Sequence, residues 1–203
     1  MRLDRFQTLI VAAVLLAAAA CRSVPPDPYG IDPDFRRKAA QEMTGDDDAE
    51  SLQTLVLLLT DTHVPGAVSH PTVRSAAARS LGPTRAPAAS APLAQALEKD
   101  DSDEVRTDAA IALGDLGQPD GVAPLRAALA RTSEPPKIRR AAADALGRLV
   151  AQEAVPDLVH ALRDADRSVV LAAHRSLIAI TGADRGESAA AWDGGSGGGV
   201  PPR

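Results

Sequence analysis

Apolar and polar positions follow a short pattern that keeps returning between Val73 and Gly182. It reads Val73-Arg74-Ser75-Ala76-Ala77-Ala78-Arg79-Ser80-Leu81-Gly82, then Val105-Arg106-Thr107-Asp108-Ala109-Ala110-Ile111-Ala112-Leu113-Gly114. A third copy is Ile138-Arg139-Arg140-Ala141-Ala142-Ala143-Asp144-Ala145-Leu146-Gly147, and a fourth, more divergent, runs from Val169 to Ile178 with Leu177 in the leucine place. The leucines step by 32, 33 and 31 residues, and Pro92, Pro124 and Pro156 keep a spacing of 32 alongside them. Two markers sharing one period of this size mean a stacked repeat array. Each repeat predicts two helices. The first carries Leu93, Ala96 and Leu97, then Leu125, Ala128 and Leu129, then Leu158, Ala161 and Leu162, each an i, i+3, i+4 set on one helix face. The second carries Val105, Ala109, Leu113 and Leu116, echoed by Ile138, Ala142, Leu146 and Leu149. Neither helix can bury its apolar face alone, so each must stack on its neighbours.

A proline-led helix, an acidic turn and V-R-x-x-A-A-x-x-A-L-G together resemble a HEAT repeat, of the short bacterial kind found in bilin-lyase-like HEAT proteins. The resemblance covers residues 49–182 and implies an all-α fold, an α-solenoid of about four helical hairpins wound as a right-handed superhelix. The expected repeat core is Leu81, Leu93, Leu97, Leu113, Leu125, Leu129, Leu146, Leu158, Leu162 and Leu177. In such families the arginine and a loop acid form a ladder between successive repeats. Arg74, Arg106 and Arg139 match that arginine, as ladder members or, if exposed, as a basic stripe for an acidic partner. Val170 replaces it in the fourth copy, where a terminal repeat would end the ladder.

Composition narrows the function. Aromatics are 2% of residues, and Phe6, Tyr29, Phe35 and Trp192 all fall outside the repeats. A Leu, Val, Ile and Ala core suits close helices and suits poorly a flat cofactor or base stacking. The formal charge of −5 argues against nucleic acid, whose binding rests on cations neutralising phosphates.

The front of the chain reads as an export signal. Arg2 and Arg5 precede twelve consecutive apolar residues, Leu9 to Ala20, the length of a signal-peptide core and short for a bilayer span. Residues 1–20 are thus expected to be removed. Leu16-Ala17-Ala18-Ala19-Ala20-Cys21 resembles a bacterial lipobox, with Ala18 where leucine is usual, and implies lipid attachment at Cys21, the sole cysteine. Two or more acyl chains hold a protein firmly on a membrane. The expected location is the cell envelope, extracytoplasmic. Arg22 in place of a retention aspartate favours the outer membrane if the source is Gram-negative. Residues 21–33 follow as a tether rich in proline, which bars a helix.

Residues 34–48 predict a short capping helix, Phe35 to Met43 with Asp34 as its cap and Arg36, Arg37 and Lys38 on a solvated face, and then an acidic turn. The array is placed at 49–183. Its first connection, Leu59 to Val73, is six residues longer than the equivalent from Leu97 to Val105, so the Thr60–Thr72 loop stands out. Its His63 and His70 lack the further ligands a metal site needs. Residues 184–203 read as a Gly/Ser-rich flexible tail, although a tryptophan after Thr-Gly resembles the ending of some envelope HEAT proteins, where the indole lies over the last helix. His160 and His174, with Asp157 and Asp164 nearby, lack a serine or cysteine to activate.

No catalytic residue, metal or cofactor is expected. The function expected is a lipid-anchored scaffold that binds another protein. Two alternatives stay open: a bilin-lyase-like enzyme or enzyme subunit, and a purely structural envelope spacer.

Overall fold

The computed structural model describes residues 27–61 and 69–193. The signal sequence, Cys21, the start of the tether, His63 and the glycine-rich end all lie outside the described residues. Ten α-helices and four short 3-10 turns make up the regular structure of the described part. They are α1 Pro33–Glu42, α2 Ala49–Thr60, α3 Pro71–Leu81, α4 Ser90–Lys99, α5 Asp103–Leu116, α6 Val122–Ala130, α7 Pro136–Arg148, α8 Val155–Ala161, α9 Arg167–Thr181 and α10 Ala189–Asp193.

Local chemistry sets these limits. Asp32, Asp48 and Asp166 accept hydrogen bonds from backbone N–H groups at the starts of α1, α2 and α9. Each fills a donor the helix cannot satisfy itself. Pro124 and Pro156 stand within the first turns of α6 and α8, where a missing N–H costs nothing. Gly117 and Gly182, both with φ of 72°, end α5 and α9 in the left-handed conformation.

The helices pair as α2–α3, α4–α5, α6–α7 and α8–α9 and stack into two layers, an α-solenoid. The second helices α3, α5, α7 and α9 pack closely on one another, whereas the first helices α2, α4, α6 and α8 touch only lightly. The stack therefore curves toward the second layer. Small side chains permit the tighter contact. A Cβ on Gly114 would come within 2.9 Å of the Ala145 Cα, and one on Gly147 within 3.0 Å of the Ser176 Cα.

One continuous core runs through the stack. Leu81, Leu93, Leu113, Leu125, Leu146, Leu158 and Leu177 are wholly buried, and Leu97, Leu129 and Leu162 nearly so. Truncating Leu146 to alanine should destabilise the array by about 3 kcal/mol, mid-range for a buried leucine whose cavity cannot collapse. Urea unfolding followed by circular dichroism measures it.

Two expectations about the ends are corrected. The first helix is Pro33–Glu42, capped by Asp32 rather than Asp34, and it packs on α3 as each second helix packs on the next. It is the second helix of a half-repeat, so the packed array begins before residue 49. At the other end the chain stays packed past residue 183. The short α10 lies against α8, burying Ala189 and Trp192. The Trp192 indole N–H donates to the Gly186 carbonyl at 2.7 Å, and the Arg185 guanidinium lies 5.4 Å from the ring centre. Only residues 194–203 of the expected tail lie outside the described part.

Candidate functional site

The repeating arginines sit one turn into the second helices, which points them at the turn between the two helices of the following repeat. Arg74 grips Asp100 with two parallel bonds, Nε to Oδ2 and Nη2 to Oδ1, both 2.8 Å. Its Nη2 also reaches Asp101 at 2.6 Å, and its Nη1 donates to Ser69 Oγ at 2.8 Å. Arg139 repeats the grip on Asp164, again with two 2.8 Å bonds, and its Nη1 donates to the Glu134 carbonyl. Arg106 differs, because the acid facing it from the next repeat's turn is a glutamate, Glu134. Its Nε stands 3.3 Å from Glu134 Oε2, an ion pair without the fork, while Nη1 donates to the Asp100 carbonyl at 2.7 Å. Arg74 and Arg139 are each 7% exposed. They lie inside the turns and form no exposed basic stripe.

The accepting carboxylates do a second job. Asp100 and Asp164 each accept a backbone N–H two residues on, from Ser102 and Asp166, at 2.8 Å. One side chain thus folds its own turn and receives the preceding repeat. Such two-point pairing of planar groups is stronger and more directional than a single bond. Hydrogen bonding from Arg139 holds the Asp164 carboxyl below its usual range, against some burial. Asp100 is also lowered: burial opposes this, and the bonds from Arg74 and Ser102 outweigh it. The partner guanidiniums are raised, chiefly by the same bonds.

These directions fix a pH dependence. A carboxyl held low stabilises the fold when ionised, above its unfolded value near 3.8. That contribution disappears as pH falls through the depressed folded value. Melting temperature should therefore hold steady down to about pH 5 and then drop. In Asp164→Asn the acid limb should be shallower and the neutral-pH melting temperature lower.

Sequence reading missed one member. Arg36, expected on a solvated face, is 0% exposed. Its Nε donates to Asp61 Oδ1 at 2.7 Å and Nη2 to Oδ2 at 3.1 Å, while Nη1 bonds the Gly30 and Ile31 carbonyls. Asp61 Oδ2 also accepts the His70 N–H at 2.6 Å, so this rung is built like the others. The signal was present: Phe35-Arg36-x-x-Ala39-Ala40 matches Val105-Arg106-x-x-Ala109-Ala110. The longer first connection put it out of phase, and Met43 stands where Leu113 would lead one to expect leucine.

A second row of charges links neighbouring second helices across their exposed side. Arg79 meets Asp108 at 2.9 Å, with Asp108 also bonded to Ser75; Arg148 meets Asp115 at 3.1 Å and Arg175 meets Asp144 at 3.0 Å. Between the first helices lie shallow grooves. One of about 560 Å³ separates α2 from α4 and includes Val56, Leu59, Pro92 and Gln95. Another of about 440 Å³, between α6 and α8, includes His160. His70 caps α3, and His174 bonds Asp184 at 2.8 Å. Among the described residues no group of three or more metal-ligating side chains occurs.

Together the fold and the ladder define a helical repeat solenoid braced by arginine–carboxylate rungs. Its sequence matches the pattern of HEAT repeats over residues 31–107, 67–135 and 122–191, and the chain belongs to that family. The first matched stretch includes α1. No curated protein matches the chain in sequence. Among solved structures it is similar to the complex of CpcE and CpcF of phycocyanin lyase from Nostoc sp. PCC7120, with a TM-score of 0.63 at 23% identity over 77% of this chain. This chain spans 63% of the length of that one. It is also similar to an engineered protein, with a TM-score of 0.52 at 22% identity over 74% of this chain and 73% of the other. Both likenesses concern the fold.

Proposed function

We propose that this protein is a non-catalytic scaffold, held at an envelope membrane through a lipidated Cys21, that presents its helical array to another protein on the extracytoplasmic side. The observation that carries the reading is the exposed side of the second layer. Ile111 and Leu171, 38% and 36% exposed, stand there among the cross-helix ion pairs. The arginine rungs hold those helices in fixed spacing, which lowers the ordering cost of docking a partner. The tested outcome is capture of a partner in stoichiometric yield from envelope extract, lost when Ile111 and Leu171 are both changed to aspartate. Recovery without a partner, or with one indifferent to both changes, refutes the scaffold and leaves the spacer reading. Anchoring is tested separately by labelling with radioactive palmitate, which should be incorporated by the natural chain and not by Cys21→Ser.

A second reading, a bilin-lyase-like enzyme or enzyme subunit, takes its support from the fold shared with the phycocyanin lyase complex and from the 560 Å³ groove between α2 and α4. Absorbance titration with a linear tetrapyrrole tests it. A saturable spectral change lost in Leu59→Arg would favour this reading over the scaffold.

A further inference from the structure

The second helices lie in a fixed stagger. A Cβ on Gly82 would meet the Ala112 Cα at 3.1 Å, one on Gly114 the Ala145 Cα at 2.9 Å and one on Gly147 the Ser176 Cα at 3.0 Å. Each of these glycines is the tenth residue of its copy of the repeat, and each neighbour is the eighth of the next. Successive second helices are therefore offset by two residues, about 3 Å along the axis. The third and seventh residues of a copy point out of the second layer, and Ile111, Arg140, Leu171 and Arg175 at such places are all exposed. The offset sets Ile111, the seventh of its copy, level with Leu171, the third of the copy two helices away. At interaxial distances of about 8–10 Å the two apolar side chains stand roughly 16–20 Å apart.

Between them, on α7, stand Arg140 and Asp144. Asp144 is taken by Arg175 at 3.0 Å. On the same face Arg79 and Arg148 meet Asp108 and Asp115. Arg140 is exposed, and among the described residues it meets no carboxylate. The centre of this stripe thus carries one uncompensated positive charge between two apolar side chains. The stretches outside the described residues have little to match it: they contain a single acid, Asp4 beside Arg5, against Arg2, Arg22 and Arg203.

The geometry points to a docking site for an acidic amphipathic helix of a partner protein, laid across α5, α7 and α9, with a carboxylate on Arg140 and an apolar side chain on each of Ile111 and Leu171. This rests on the scaffold reading and names the partner chemistry of that same face. A helix has the right repeat. Its positions i and i+11 lie on one side about 16 Å apart, with i+4 and i+7 between them. It also satisfies its own backbone. An extended segment docks by adding to a sheet edge, and the described residues contain no strand. Charge complementarity sets the sign, so aspartate or glutamate belongs at i+4 or i+7.

The test is a phage-displayed library of helical peptides, randomised along one face and panned on the full chain. The enriched peptides should carry apolar residues eleven apart with an acid between them. Their binding, followed by fluorescence anisotropy, should saturate and weaken about tenfold or more in Ile111→Asp and in Arg140→Glu, with the melting temperature unchanged. Arg140→Lys should retain most of it. Panned on Arg140→Glu, the same library should exchange the central acid for lysine or arginine. No enrichment, a centre without an acid, or a preference unmoved by Arg140→Glu overturns the inference. So does an Arg140-dependent association with anionic lipid vesicles, or with a second copy of the chain, that the selected peptides fail to displace. The selected pattern without any envelope partner would support the docking site and remove the scaffold reading. An envelope partner lost in the Ile111 and Leu171 variants yet held equally by Arg140→Glu would overturn the acidic helix and leave the scaffold.

Discussion

Replacing Arg36 with methionine destabilises the array by about 3–5 kcal/mol, because it strands the Asp61 carboxylate in the interior. Both side chains of that pair are 0% exposed. Asp61 also holds the turn between α2 and α3, where it sits at φ 46° and accepts the His70 N–H. Changing it to asparagine preserves an acceptor oxygen and a residue type that tolerates the left-handed region. The double variant Arg36→Met with Asp61→Asn should therefore recover a large part of the loss. A double-mutant cycle in urea measures the coupling. If Arg36→Met costs no more than an exposed arginine, under about 0.5 kcal/mol, the buried rung is wrong.

Gly147→Val should be at least as damaging, and in the direction opposite to local preference. In a helix interior, replacing glycine ordinarily helps by a few tenths of a kcal/mol or more. Here a single added Cβ meets the Ser176 Cβ at 2.8 Å and its Cα at 3.0 Å, and the Cα belongs to the backbone of the next helix. Ser176 cannot swing away freely, since its hydroxyl donates to the Ala143 carbonyl at 2.8 Å. The branched side chain forces α7 and α9 apart and opens one of the two closest glycine contacts in the second layer. A loss of about 4 kcal/mol or more is expected, beyond the usual cost of overpacking because backbone must move. Gly147→Ala, with one carbon, should fall between. A melting temperature that rises in either variant would contradict the close approach.

The repeat was legible because its physics is local. Leu113 and Leu146 lie on stripes that any 3.6-residue helix must bury, and a fixed period says that the same burial recurs. The ladder was legible only by resemblance, since nothing in Arg74 alone indicates that Asp100, 26 residues on, receives it. Arg36 escaped notice because three adjacent cations read as a solvated face. Phase with Arg74, not charge, was the informative property, and the longer first connection concealed it. Composition alone puts Trp192 in a flexible stretch, because glycine and serine dominate after it, whereas the resemblance places its indole over the last helix. Yet one indole, hydrogen-bonded to Gly186 and resting on α8, suffices to hold a short helix in place.

By itself the sequence determined that this protein is a stack of paired helices with an aliphatic core, since the periodicity of leucine, alanine and proline admits no other burial. Only the tertiary structure decided where the stack begins and ends. How each end is packed depends on which residues meet across 25 residues or more of chain: Arg36 reaching Asp61, and Trp192 reaching back over α8. Such contacts are set by the spacing of already formed helices, a quantity that no single stretch of the chain encodes.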